Sequence, residues 1–370
     1  MFALPWWSIA CAALAALAFA ACARVTPEQR LAGLWDAYRA NYMSADGYVI
    51  DPLRSGQVTS EAQSYALLQA AWLRDRQTFD RVLHWTTTHL QRPDGLFSWL
   101  WDPAGGGRIV DANSATDAEI DTAFALIIAA DAFDEPAYRD EAARLVRAIR
   151  THASLAVGDA WFPSAGNWAG PERVVNLSYF APYAFAYFDA LDPGSGWLRA
   201  IDIGYQLLAA TTGGRPARLP PDFMRVTDEG MPAPLPPSSA LSSRFSFDGI
   251  RIPWRIEMDC RLRGEPRACA AQPLVGRLRD LLARDRLLVS GYALDGRPES
   301  RQESLSFYGA LLPSLARTSP DEAATWRRSR LSERQLAQVR DAQNRYYDAN
   351  WIWFGLALAD SIAVSRTPKM

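Results

Sequence analysis

The run from Ala118 to Ala132, AEIDTAFALIIAADA, has the composition of a buried helix, and a chain that contains it must supply other elements to enclose it. Thr116 followed three residues later by Glu119 reads as a capping box, so the spacing predicts a helix start there. Asp117, Asp121, Phe124 and Ile128 then fall on one face at spacings of four, three and four. That face is apolar along its length and carries acids at its N-terminal end. First-turn acids are ordinarily stabilised by the helix macrodipole and free N–H groups. A carboxylate at the floor of a cleft is the other reading. Glu119 points elsewhere on the helix and reads as a cap rather than a catalyst.

A second stretch repeats this design. Thr59 or Ser60 caps a helix running to about Arg74, with Glu61 in its first turn and Tyr65, Leu68 and Trp72 following at four, three and four. Two helices therefore carry a first-turn acid on an inward face. Thr26-Pro27-Glu28 opens an earlier helix, and Arg76–Leu90, Glu135–Ala153, Asn176–Leu191 and Gly196–Thr211 read as further ones. Downstream come Leu274–Val289, Glu303–Leu315, Pro320–Ala342 and Asp348–Val364. The total is about a dozen helices without strand alternation, which a ring of helical hairpins would satisfy, with a groove built by the loops at one end. Between them, Arg215–Ser239 carries seven prolines and is expected as a loop or hairpin over one face.

A third dense stretch, Ser242–Cys260, places Asp248 near Arg244, Arg251 and Arg255. Three guanidinium groups would keep that acid ionised, as a general base requires; a structural ion-pair cluster is the alternative. Cys260 and Cys269 bracket the short loop CRLRGEPRAC, either as a disulfide or as two buried thiols.

Composition narrows the function. A net charge of −2 leaves no electrostatic footprint for nucleic acid. His84, His89 and His152 show no paired metal-ligand spacing, and P-loop, GxGxxG and GxSxG patterns are absent, so neither metal nor cofactor is implied. Fourteen tryptophans exceed what a core of this size needs and point to a site that stacks weakly polar rings, sugar among them. At the N-terminus, Ile9–Ala21 is a short apolar run ending near the small-residue site Ala18-Phe19-Ala20 and reads as an export signal over 1–21, although MFALPWW before it has no basic residue. Phe19-Ala20-Ala21-Cys22 is similar to a lipobox, so a lipid anchor at Cys22 is the alternative to simple export. No linker divides residues 22–370, which are expected to form one domain.

The segments VTSEAQSY around Glu61, NSATDAEID around Asp117, NLSYFAP at Asn176–Pro182, FDGIRIPWR around Asp248 and YYDANWIWFG at Tyr346–Gly355 resemble glycoside hydrolase family 8. Among its members they resemble the periplasmic cellulases that accompany bacterial cellulose synthases. The chain departs from the pattern at Glu119, where the family more often has Asp, and at Thr122, where it has a larger apolar residue. The resemblance implies an all-α (α/α)6 barrel that hydrolyses internal β-1,4 bonds of a cellulose-like glucan with inversion. It implies Glu61 as general acid, Asp248 as the base that activates water, and Asp117 as the acid that holds the sugar beside the scissile bond. Tyr65, Trp99, Trp101, Asn176, Tyr179 and Arg251 are the expected substrate contacts. Glu61 is expected in a desolvated, aromatic setting and Asp248 among arginines, the two carboxyl groups roughly 6.5 to 9.5 Å apart. Chitosan, xylan or mixed-linkage β-glucan on the same fold are alternative substrates, and a non-catalytic glucan-binding component of an export machine is the alternative from another class. The expected partners are the polysaccharide and a cellulose synthesis or export complex, with contact to a membrane only through the anchor at Cys22.

Overall fold

The computed structural model describes residues 25–270 and 272–370. The export signal over 1–21 and the anchor at Cys22 lie outside the described residues. No helix among the described residues is long and apolar enough to cross a membrane.

Thirteen longer helices follow one another: α1 Pro27–Tyr42, α2 Ser60–Leu73, α3 Arg76–His89, α4 Thr116–Ala132, α5 Pro136–His152, α6 Pro182–Leu191, α7 Trp197–Thr212, α8 Arg251–Arg263, α9 Pro273–Asp285, α10 Leu305–Thr318, α11 Pro320–Ser329, α12 Glu333–Asp341 and α13 Tyr346–Ala359. Six of them, α2, α4, α6, α8, α10 and α13, are buried on nearly every face; α8 is the charged one, and it buries Arg251, Arg255, Glu257 and Asp259 in ion pairs. The helices between them bury one face only; α5, for example, buries Tyr138, Ala142, Leu145, Val146 and Ile149 and exposes its charges. Each inner helix packs on the next round the ring. The ring closes where Gln69 of α2 donates to Asn350 of α13 at 2.8 Å and Trp72 stacks on Trp353 with centroids 6.2 Å apart. This is an (α/α)6 barrel.

Local signals set many of the helix ends. Thr26 and Gln29 form a reciprocal capping box on α1, with Pro27 at its first position. Thr59 Oγ1 accepts from the Ala62 amide at 3.1 Å and starts α2. The box expected at Thr116 and Glu119 does not form. α4 starts at Thr116 without a side-chain cap, and Glu119 Oε1 accepts from the Phe97 amide at 2.9 Å, tying the neighbouring loop to the helix. Several helices are shorter than their sequence patterns, Leu274–Val289 ending at Asp285 and Asp348–Val364 at Ala359. Asn176 caps a separate 3-10 turn over Leu177–Tyr179, and Pro182 begins α6. Pro320–Ala342 divides into α11 and α12, and Leu331 between them is buried.

Short strands join the loops at one end. β1 Val58–Thr59, β2 Leu100–Asp102 and β3 Arg108–Asp111 form one antiparallel sheet, and β4 Ser154–Val157 pairs with β5 Ala160–Pro163. The proline-rich segment contributes β7 Met224–Val226 and β8 Pro232–Ala233, which extend from β6 Val174–Val175. Cys260 and Cys269 are joined in a disulfide at the end of α8.

The tryptophan surplus has a different use from the one expected. Ten of the twelve described tryptophans are buried, and Trp72, Trp254, Trp351 and Trp353 pack with Phe124, Tyr65, Tyr183 and Phe354 along the barrel axis. A toroid of helices leaves a wide centre, and large rings fill it. Two tryptophans, Trp99 and Trp168, remain for a groove.

Candidate active site

The loops at one end of the barrel enclose a cleft of about 830 Å³. Glu61, Asp248 and Arg251 stand in its floor, and Trp99, Trp168, Tyr179, Phe223, Phe247, Tyr346 and Tyr347 supply its aromatic lining.

Three elements bring three acids together at that floor, Glu61 and Asp248 lining the cleft and Asp117 buried behind them. Glu61 lies in the first turn of α2, whose start is fixed by the β1–β2 pairing and by the Ser60 amide donating to Trp99 O at 2.9 Å. Asp117 lies in the first turn of α4, where the Thr116 amide donates to Ala165 O at 3.2 Å. Asp248 sits in the loop that leads into α8, and the Arg251 amide donates back to Asp248 O at 3.0 Å.

Arg251, the first residue of α8, joins them. Its Nη1 donates to Glu61 Oε2 at 2.6 Å, Asp117 Oδ2 at 2.7 Å and Tyr65 OH at 2.9 Å, while its Nη2 donates to Asp248 Oδ1. Nη1 carries two hydrogens for three acceptors, so the arrangement is shared rather than three separate full bonds. The guanidinium is buried, and its face lies 5.5 Å from the Tyr179 ring centroid.

The burial expected around Glu61 surrounds Asp117 instead. The Glu61 and Asp248 side chains are 22% and 23% exposed, against 2% for Asp117. Burial pushes the Asp117 carboxyl up to about 8, against the pull of the Arg251 guanidinium and with a further push from the charges of Glu61 and Asp121. One guanidinium cannot neutralise three carboxylates, which leaves Asp117 without a full counter-charge in its buried setting. Burial likewise holds the Tyr65, Tyr179 and Tyr347 phenols far above their ordinary range, so they remain neutral hydrogen-bonding groups.

The arginine cluster expected around Asp248 reduces to Arg251. Arg244 is exposed. Arg255 lies one helical turn deeper, where it grips Asp121 through both terminal nitrogens, Nη2 to Oδ2 at 2.8 Å, and also donates to Tyr183 OH at 2.8 Å and Ser178 O at 3.1 Å. The i, i+4 acids of α4 thus face the i, i+4 arginines of α8, one pair at the cleft floor and one below it.

Other expected contacts separate. Trp99, Tyr179 and Arg251 line the cleft. Tyr65 lies beneath it as a partner of Arg251. Trp101 turns away, packing on Tyr48, Trp85 and His89, because the register shift between Leu100 and Trp101 breaks the alternation that would set it on the same side as Trp99. Asn176 is buried and caps the Leu177–Tyr179 turn that presents Tyr179. Sequence reasoning missed Asp51, Arg54 and Trp168 as lining residues. Arg54 lies over the Trp99 ring at 5.5 Å, and Trp168 is held by its Nε1 donating to Ser114 O at 3.2 Å. Trp168 follows Gly166-Asn167, whose reciprocal bonds with Ser114 at 2.8 and 2.9 Å clamp two loops together; that turn chemistry was the available signal. Among the described residues no group of three or more His, Cys, Asp or Glu is placed to hold a metal ion.

The family described as Glycosyl hydrolases family 8 matches residues 2–275. The chain belongs to glycosyl hydrolase family 8. It is 32% identical over 224 residues to a probable endoglucanase of Novacetimonas hansenii, covering 59% of this chain and 64% of that one. To an endoglucanase of Escherichia coli (strain K12) it is 30% identical over 234 residues, covering 59% and 60%. These alignments span about three fifths of the relatives' own length. The fold of this family 8 chain matches the structure of an endo-β-1,4-glucanase from Acetobacter xylinum with a TM-score of 0.73 at 24% identity, over 92% of this chain and all of that one. It matches a cold-adapted family 8 xylanase with a TM-score of 0.75 at 17% identity, over 94% of each chain.

Proposed function

We propose that this family 8 chain hydrolyses internal β-1,4-glucosidic bonds of a cellulose-like glucan by an inverting acid–base mechanism. The observation that carries the reading is the convergence of Glu61, Asp117 and Asp248, from three separate elements, on Arg251 at the floor of an aromatic-lined cleft. The endoglucanase names of its relatives support the same bond class. The Cys260–Cys269 disulfide supports an exported enzyme, since such bonds persist in oxidising compartments.

In this mechanism Glu61 gives its proton to the glycosidic oxygen as the bond to the anomeric carbon breaks. Asp248 takes a proton from a water that attacks that carbon from the opposite face, so the new hydroxyl has inverted configuration. Glu61 and Asp248 occupy different nitrogens of Arg251, so the guanidinium separates the proton donor from the base. Protonating Glu61 weakens its charge-assisted contact to Arg251, leaving Nη1 to Asp117 and Tyr65. Asp117, buried beside Glu61 with its carboxyl pushed up to about 8, holds the sugar at the scissile bond through hydrogen bonds in which its protonated form donates as well as accepts. Trp99 and Tyr179 give faces on which pyranose rings stack.

The test is reducing-end release from carboxymethylcellulose, with xylan, chitosan and mixed-linkage β-glucan in parallel to identify the polymer. Glu61→Gln is expected to abolish hydrolysis while the protein still binds cellulose. Proton NMR of the first product is expected to show the α-anomer. Unchanged turnover in Glu61→Gln, or a β-anomer formed first, refutes the mechanism.

A further inference from the structure

Asp248 sits on a loop, whereas Glu61 and Asp117 are carried by capped or buried helix starts. A base that activates water must be held closely, since displacement of about 1 Å costs on the order of 10²-fold in rate. Something in the loop must replace the rigidity that a helix provides.

We propose that Asp222 is the positioning residue for the base. It is 1% exposed, belongs to the proline-rich segment just after Pro220-Pro221, and spends both carboxylate oxygens on the loop that carries Asp248. Oδ1 accepts the backbone N–H of Ser246 at 2.8 Å and of Gly249 at 2.9 Å, the residues two before and one after the base. Oδ2 accepts the hydroxyls of Ser242, at 2.7 Å, and of Ser246. The backbone completes the clamp, with the Asp222 amide donating to Arg244 O at 2.7 Å and the Phe223 amide to Ser242 O at 2.9 Å. Bonds on both sides of Asp248 leave its Cα little freedom. Asp222 does not line the cleft, so whatever it contributes to the reaction passes through Asp248.

The packing agrees. A side chain at Gly249 would run into the Phe245 ring, which is itself buried edge-on against Phe307, so the loop cannot relax inward. On the outer side the Tyr347 hydroxyl donates to Phe247 O, and the two rings meet at 5.0 Å. Asp222 supplies the hold from below, its Oδ1 accepting two backbone N–H groups at once. Its sequence signal is only an acid after two prolines, some 26 residues before the base.

This assignment rests on the proposed role of Asp248, and the test separates the two. β-Cellobiosyl fluoride is the substrate: water attacks the anomeric carbon, fluoride leaves without a proton from Glu61, and Asp248 takes the proton from water. Its turnover therefore reports the base half of the reaction. Asp222→Ala, shown folded by circular dichroism, is expected to lower kcat roughly 10²-fold on the fluoride with KM within about threefold. Asp222→Asn keeps the Oδ1 acceptor for both backbone N–H groups and is expected to recover most of that loss. A folded Asp222→Ala with kcat within about threefold of wild type, or with KM raised and kcat unchanged, overturns the assignment. If Asp222→Ala does not fold, the Ser242→Ala/Ser246→Ala pair takes its place. That pair is expected to lower kcat roughly tenfold by releasing Oδ2, and unchanged kcat overturns the assignment. Asp248→Asn is the control. If it keeps the wild-type rate, or if wild type does not turn over the fluoride, the base assignment falls and the role of Asp222 with it.

Discussion

Replacing Arg255 by Met tests the claim that the lower of the two acid–arginine layers serves stability. Arg255 and Asp121 are 1% and 2% exposed, and among the described residues Asp121 accepts hydrogen bonds from Arg255 alone. The change strands a carboxylate in the barrel centre and removes a donor to Tyr183 OH and one to Ser178 O. Breaking a buried pair from one side costs about 3–5 kcal/mol, because the remaining charge is desolvated without a partner. At about 2.1 cal/mol/K of unfolding entropy per residue, a chain of this length converts that into a fall in Tm of about 4–7 °C. Differential scanning calorimetry at pH 7 reads it. The decisive comparison is Arg255→Met/Asp121→Leu, which removes both charges, keeps the volume, and is expected to regain most of the loss. A single variant within about 1 kcal/mol of wild type, or a double variant as unstable as the single, refutes the reasoning.

Glu119 gives a pH-dependent prediction. Its Oε2 is buried without a partner among the described residues, and burial pushes the carboxyl up from 4.5 to about 8. The folded state thus binds this proton more tightly than the unfolded chain, so the stability it confers is complete below about 4.5 and is lost as pH rises through about 8. Asp117 acts in the same direction. Glu119→Gln keeps the acceptor for Phe97 and is expected to flatten the fall in Tm between pH 5.5 and 8, a slope of at most about 1.4 kcal/mol per pH unit for one group; an unchanged slope refutes it. Trp99→Ala is expected to raise KM about five- to tenfold with kcat nearly unchanged, from the loss of about 1–1.4 kcal/mol of ring stacking, measured by steady-state kinetics on soluble cellulose. Gly355→Ala is expected to cost more than about 3 kcal/mol in urea denaturation, because a Cβ there overlaps the Gly309 carbonyl where α10 and α13 cross; a fully stable variant contradicts that crossing.

Most of the helices were legible because their signals are local. Thr26, Pro27 and Thr59 act within one turn of themselves, and a 3.6-residue period is visible in any helix with one buried face, whereas the start expected at Asn176 hides Pro182, which begins α6. Glu61 and Asp117 stood out for the same reason, as first-turn acids on apolar stripes. The same local logic failed at Thr116 and Glu119. The box pattern is present, but Glu119 has a better-buried donor in Phe97, 22 residues away, which no spacing rule reports.

What the sequence alone determined, then, is a set of about a dozen helices, several with readable caps and buried stripes, with acids at the starts of two of them. That follows from interactions spanning about four residues and from the hydrophobic effect. Only the tertiary structure decided which charges meet. Arg251 finds Asp117 across 134 residues and Glu61 across 190, while Arg255, four residues on, takes Asp121 one layer down. Both arginines stand near Asp248 in sequence. A helical turn separates them in depth, and that turn makes one a partner of the acids at the cleft floor and the other a strut of the barrel.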